Sequence, residues 1–542
     1  MRTQETMPHL VLDDLRRAVD DALAAGDVEA ALDAVRPQAR AIAAEHGDAF
    51  RELISRIPET AWQHDAGIAS AMGASYRAAG SPSGSSAIGY FHAAEAALSE
   101  GPRSADPDRV AVWLGHAAAL RSLGRLDAAA RYVQRTRDLD GPGSVLSVPV
   151  RVELGARSTL ESGLIDLHLG NVDAARRQLE FAHGLAPENL TRAERIECLG
   201  GLAILEYFQA HLETGAAYAR AARELAAGTD LLASGYGAAA LLAETLFALD
   251  RGDLDTAATT EAELLAAAHR ADWQPFAFVV AGMRRFSLGL PAEALDFLQR
   301  ARQGFRTWSP AGLGLGGEEF IRAWILITLD QGAEAWEILR RLDPFEHHVL
   351  CPARLVALLR LGHGDLRGAT AALRDCEELG DDHAPRTMID VRILRAAIEL
   401  ARGESGLADV MFDRALATVA RTGARSSLGM IPRGTLARLA ERSLERPHSE
   451  EVRALLRDVL ATADGADGEV EALSHRELLV LAKVEKGSTV AGIAAALYIS
   501  PNTVKTHLRR LYRKLGVATR ADAIRKARSL GLGPPVTRDS PD

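Results

Sequence analysis

Lys505, Thr506, Arg509, Arg510 and Arg513 are the residues of this chain whose types and spacing most clearly imply chemistry. Interleaved with them, Val504, Leu508, Leu511 and Leu515 recur at i, i+4, i+7 and i+11. That period commits one face of a helix to a core and turns the polar and basic residues outward. Guanidinium and ammonium groups in such a row can meet phosphates or the O6 and N7 acceptors of guanine, and a threonine offers a hydroxyl or a methyl. A helix of this width fits the major groove of B-DNA. The spacing predicts a recognition helix over 501–515 that reads double-stranded DNA.

Other chemistry-bearing residues form weaker sets. His347, His348 and Cys351, with Cys376 and His383 farther on, are metal-ligand types, but they lack a paired spacing of the C-x2-C and H-x3-5-H kind, so no metal site is expected. The run Gly312-Leu313-Gly314-Leu315-Gly316-Gly317 has the composition of a phosphate loop, yet no strand precedes it and a flexible inter-repeat loop is expected. All five lysines, Lys483, Lys486, Lys505, Lys514 and Lys526, lie near the C-terminus. A P-loop or a pyridoxal Schiff base therefore has no lysine in residues 1–482. Carboxylates and histidines show no catalytic clustering, so no enzyme, no catalytic residue and no cofactor are expected.

The elements that must hold the cationic row can be read on either side of it. Ser474 and Glu477 form a capping box that opens a first helix, with Leu478, Leu481 and Val484 inward and Gly487 at its end. A second short helix runs from Thr489 to about Leu497, burying Ile493, Ala494 and Leu497. Ser500 as N-cap and Pro501 at the first helical position start the recognition helix. A fourth helix begins at Thr519, with Ala523, Ile524 and Ala527 inward. Residues 474–533 carry twelve Lys and Arg against three acids, whereas the whole chain has a net charge of −10, so only this segment has the sign to approach phosphates.

These residues, from Leu473-Ser474-His475-Arg476-Glu477-Leu478 through Ile499-Ser500-Pro501-Asn502-Thr503-Val504-Lys505-Thr506-His507 to Tyr512-Arg513-Lys514-Leu515-Gly516-Val517, resemble the LuxR-type DNA-binding domain along its whole length. The resemblance implies that Lys505, Thr506 and Arg509 contact bases, and that Asn502, Thr503, His507, Arg510 and Arg513 position the helix on phosphates. Thr489, opening the second helix, completes the expected DNA-contacting set. It also implies a homodimer formed through the fourth helix. Thr489-Val490-Ala491-Gly492 departs from the family's usual Ser/Thr-Asn-Lys/Arg-Glu run, which removes a capping glutamate and places a glycine inside a helix.

Upstream, a glycine is followed five residues later by an alanine at Gly26/Ala31, Gly124/Ala129, Gly170/Ala175, Gly252/Ala257, Gly289/Ala294, Gly364/Ala369 and Gly403/Ala408. The intervals of 98, 46, 82, 37, 75 and 39 residues are one or two units of a helix-pair repeat. Leu123-Gly124-Arg125-Leu126-Asp127-Ala128-Ala129 and Leu169-Gly170-Asn171-Val172-Asp173-Ala174-Ala175 resemble the tetratricopeptide repeat. The expected fold is all-α: disordered residues 1–10, a tetratricopeptide-like solenoid over 11–462, a linker over 463–472, a LuxR-type domain over 473–532 and a disordered tail over 533–542. This architecture resembles the large maltose-regulator-type activators without their ATPase domain. The implied function is a DNA-binding transcription regulator whose array takes a peptide, protein or small-molecule inducer, with RNA polymerase or another protein as partner. The alternative is an interaction scaffold with a vestigial DNA-binding domain. No apolar run reaches the roughly 18 residues of a membrane span, no membrane partner is expected, and a cytoplasmic location is.

Overall fold

Apolar residues at helical spacing, interrupted every few turns by a glycine, dictate short helices that can bury their faces only against one another. The computed structural model describes residues 8–78, 85–99, 106–139, 147–268, 273–308, 312–464, 475–485, 488–497, 499–515, 517 and 519–529, and among these it contains no strand. The fold is all-α: a tetratricopeptide-like array of antiparallel helix pairs followed by a small four-helix domain. Pairs such as Val148–Leu169 with Val172–Asn189 and Gln274–Ser287 with Pro291–Gly304 repeat along the array.

The glycine and alanine signals have the physical roles their spacing implies. All seven glycines adopt φ between 70° and 86°, the left-handed conformation that closes a helix. All seven alanines are 0% exposed, because the returning helix packs where a larger side chain would not fit. Two of the three long intervals, those of 82 and 75 residues, hold turns of the same geometry without glycine: Ala210 has φ 57° and Asp330 has φ 60°. Five residues on, Gly215 and Ala335 take the close-packing position; a Cβ at Gly215 would lie 2.4 Å from Phe247.

Buried charge ties early and middle repeats together. Arg121, 0% exposed, meets Glu161 at 3.0 Å and Glu197 at 2.9 Å, and Arg77 reaches Glu197 at 2.5 Å. Removing one partner of such a network costs about 3–5 kcal/mol, because it leaves an uncompensated buried charge.

One expectation is corrected. Residues 313–317 are not a flexible loop but the opening turns of the helix Leu313–Thr328. The glycines there are contact points for aromatic rings: a Cβ at Gly314 would lie 2.6 Å from Phe305, and one at Gly316 2.5 Å from Phe345. The boundaries also shift, since the first helix begins at Pro8 and the helix Glu450–Asp464 extends past the expected start of the linker. Most of that linker, Ser474 of the capping box and the tail fall outside the described residues. Among the described residues, no helix is long and apolar enough to cross a membrane.

Candidate nucleic-acid interface

The C-terminal helices His475–Glu485, Val490–Leu497, Pro501–Lys514 and Arg520–Ser529 are fastened at their starts. Thr489 Oγ1 accepts the Gly492 N–H at 3.1 Å, so the second helix keeps an N-cap despite its departure from the family pattern. Ser500 Oγ accepts the Thr503 N–H at 3.1 Å, and Thr519 Oγ1 accepts that of Asp522 at 3.2 Å. Val480, Val484, Ile493, Ala494 and Val504 pack as one apolar cluster, and Leu481, Leu511, Leu515, Ala523 and Ala527 as another. Lys514 Nζ lies 2.9 Å from the buried Glu477 carboxylate and Arg520 donates to the Val484 carbonyl at 2.7 Å, pinning the recognition helix and the fourth helix to the first.

With the apolar residues inward, Lys505, Thr506, Arg509 and Arg513 are exposed on one side of Pro501–Lys514. Thr503 and Thr489 are exposed as well, each engaged at a helix start. The Asn502 side chain lies outside the described residues.

His507 and Arg510 are placed differently. His507 is only 7% exposed, and its Nδ1 lies 3.2 Å from Asp330 Oδ2 without the alignment of a hydrogen bond. Arg510 forms an ion pair with Asp330 and donates to the Gly362 carbonyl at 3.1 Å. Both acceptors belong to the array: Asp330 follows the helix Leu313–Thr328, and Gly362 ends the helix Pro352–Gly362. Burial alone would raise the Asp330 pKa, but His507 and the Arg510 charge outweigh it and hold the carboxyl below its usual range. Asp330 thus does two things at one position. It occupies the left-handed turn where other repeats carry glycine, at about 1 kcal/mol of backbone cost, and it ties the DNA-reading domain to the array.

Sequence reasoning did not find Asp330, because only the fold reveals which of many surface carboxylates faces the recognition helix. Its signal was present in the interval between Gly289 and Gly364, twice the repeat length with no glycine followed five residues later by an alanine inside it.

A second feature visible only in three dimensions is a cavity of about 730 Å³ inside the array. Leu246, Trp273, Phe276, Phe286, Phe320 and Trp324 contribute much of its wall. Six of its seven charged residues are matched in pairs, Arg386 with Asp250 at 2.5 Å, Arg354 with Asp390, and Arg425 with Asp458 at 3.1 Å, and the seventh, Arg433, is exposed. His168, whose ring is tilted against Trp273 with centroids 4.9 Å apart, is neutral, its pKa pushed down to about 3 by burial and by the Arg121 charge. The helix Leu313–Thr328 supplies Leu313, Gly317, Phe320, Ile321 and Trp324 to this wall and ends two residues before Asp330. The fold also gathers His348, Cys351, Cys376 and His383, which their sequence spacing did not suggest.

The fold and this face define an all-helical repeat protein carrying a DNA-reading helix-turn-helix domain. Residues 471–527 match the family described as "Bacterial regulatory proteins, luxR family", and the C-terminal domain is of that type. Over 81 residues the chain is 44% identical to the "Probable transcriptional regulatory protein NarL" of two Mycobacterium tuberculosis strains, a match covering 13% of this chain and 38% of the relative. Among solved structures, the Rap protein complexed with competence and sporulation factor is similar at a TM-score of 0.44 and 14% identity, over 63% of this chain and 94% of that one. The APC/C hetero-tetramer Cut9–Hcn1 is similar at a TM-score of 0.37 and 14% identity, over 95% and 96%.

Proposed function

We propose that the protein is a cytoplasmic transcription regulator that reads duplex DNA through the major groove with Pro501–Lys514 and is held in check by its own repeat array. The observation that carries this reading is the contact of His507 and Arg510 with Asp330, beside an exposed row of Lys505, Thr506, Arg509 and Arg513. At about 100° per residue, 507 and 510 share one flank of the helix, next to the outward row. A helix in a major groove about 12 Å wide has phosphate walls along both flanks. The array therefore stands where one wall would lie, and full engagement requires the domain to leave Asp330.

The cavity supports the regulatory half of the proposal. Its volume falls in the range of small-molecule sites, its wall is rich in aromatic rings and all its charges but that of the exposed Arg433 are matched in pairs, so it suits a largely apolar ligand. Because Leu313–Thr328 borders the cavity and leads into Asp330, a ligand that shifts this helix acts on the contact with the reader. The protein acts by binding rather than catalysis, dimerises on DNA through its fourth helix and works on RNA polymerase or a partner of it.

The test is titration of the full chain on genomic duplex fragments by fluorescence anisotropy. Saturable, salt-sensitive binding to selected fragments that Lys505→Ala with Arg509→Ala weakens at least tenfold is expected, each lost base contact being worth about 1–3 kcal/mol. Binding no better than to random duplex, with Asp330 intact or replaced, would favour the scaffold reading instead.

A further inference from the structure

We propose that His348, Cys351, Cys376 and His383 form a structural zinc site of the two-cysteine, two-histidine kind. Their ligand atoms all lie within 4.8 Å of one another. His348 Nδ1 is 3.5 Å from Cys351 Sγ and 3.8 Å from Cys376 Sγ, and the two sulfurs are 3.4 Å apart. A tetrahedral ion with Zn–S of about 2.3 Å and Zn–N of about 2.05 Å sets ligand separations of about 3.6 Å for S···N and about 3.8 Å for S···S. The four residues thus already stand near the corners such an ion requires, and a mixed nitrogen and sulfur tetrahedron is the donor set that selects zinc.

Two further observations point the same way. His383 is 2% exposed; its Nδ1 faces the Ala384 carbonyl at 3.3 Å, and its Nε2 is buried with no hydrogen-bond partner. A carbonyl only accepts, so Nδ1 carries the proton and Nε2 presents a lone pair, the arrangement a metal-bound histidine adopts. The neighbouring backbone is strained, with His347 at φ 51° and His348 at φ 54°. Two successive non-glycine residues in the left-handed region are strained, and ligation through His348 would offset that.

The site would join four segments that meet nowhere else in sequence. These are the turn Glu346–His348, the N-cap of Pro352–Gly362, the last turn of Leu366–Leu379 and the residue pair leading into Pro385–Arg402. Val349 and Leu350, between His348 and Cys351, line the array cavity, so the ion would also fix that part of its wall. The proposal does not depend on DNA binding.

The full chain, expressed with zinc and purified without chelator, is assayed for bound metal; the reduced, chelator-stripped chain is then titrated with cobalt(II). About one zinc per chain is expected, with a cobalt spectrum showing thiolate charge transfer and tetrahedral ligand-field bands. Cys376→Ser and His383→Gln lower zinc retention roughly tenfold or more, whereas His347→Gln, which removes the adjacent partner of Asp173, leaves it unchanged. A zinc-free wild-type chain that gives no thiolate band with cobalt overturns the proposal, and so does a Cys351–Cys376 disulfide in the purified protein. The wild-type readout stands even where a ligand variant fails to fold.

Discussion

Replacing Asp330 with glycine separates the latch from the fold, because this substitution restores the residue that seven other repeats carry at the same turn. Glycine adopts φ 60° without Cβ strain, so the array should gain about 1 kcal/mol, less the extra backbone freedom of its unfolded chain. The substitution also deletes the acceptor of Arg510 and the charge facing His507. The Asp330 side chain is 21% exposed and that of Arg510 19%, so solvent screens their pair only partly. A charged hydrogen bond of this kind is worth about 1.5–3 kcal/mol. If docking competes with DNA, that energy is returned to binding as a gain of roughly 10- to 100-fold in apparent affinity. The Arg510 contact with the Gly362 carbonyl survives, which favours the lower half of that range. Asp330→Asn, whose side chain tolerates the left-handed turn but lacks the charge, should give an intermediate gain. The assay is fluorescence anisotropy on a selected duplex, with thermal unfolding followed in parallel. A variant that unfolds at or above the wild-type temperature yet binds DNA no more tightly refutes the latch.

Three other outcomes follow from the same geometry. Removal of the Lys505 and Arg509 side chains should erode the preference for selected over random duplex by at least about tenfold while leaving the slope of affinity against salt nearly unchanged, since these residues are assigned to bases rather than phosphates. Gly317→Phe should fill the cavity without disturbing the helix, since a Cβ there meets only Leu350 at 3.8 Å; the fluorescence of N-phenyl-1-naphthylamine, saturable on wild type, should then stay flat, and equal binding by both proteins would count against the cavity as a ligand site. Glu194 supplies a pH signature. Burial would raise its pKa, but the charges of Arg157 and Arg40 and the bond to Thr191 hold it at about 2. Its folded pKa is depressed, so its contribution is present above the ordinary carboxylate range and is lost as pH falls toward that value. Glu194→Gln, which keeps the capping geometry, should cost about 2 kcal/mol at neutral pH and flatten the acid limb of the stability profile, measured by urea unfolding at several pH values.

Much of the molecule was legible in the chain because it rests on local rules. Glycine at a left-handed helix end, alanine at a close helix crossing and Ser500-Pro501 at a helix start each act within a few residues, so periodicity and caps located the repeats and the recognition helix. The exposed placement of Lys505, Thr506 and Arg509 follows from the apolar stripe of Val504, Leu511 and Leu515 and needs no knowledge of the rest. The Gly312–Gly317 segment misled for the opposite reason: its glycines answer to Phe305 and Phe345, rings that arrive from other parts of the chain.

By itself the amino-acid order determined the helical class, the repeat rhythm and the face that can meet DNA, since each of these depends on neighbours within one or two helical turns. Tertiary structure alone decided that Asp330 meets Arg510 across 180 residues, that aromatic side chains of distant repeats enclose a cavity, and that His348, Cys351, Cys376 and His383 converge. Those contacts depend on how stacked pairs curve back on one another, a sum of small rotations that no local pattern of residues encodes.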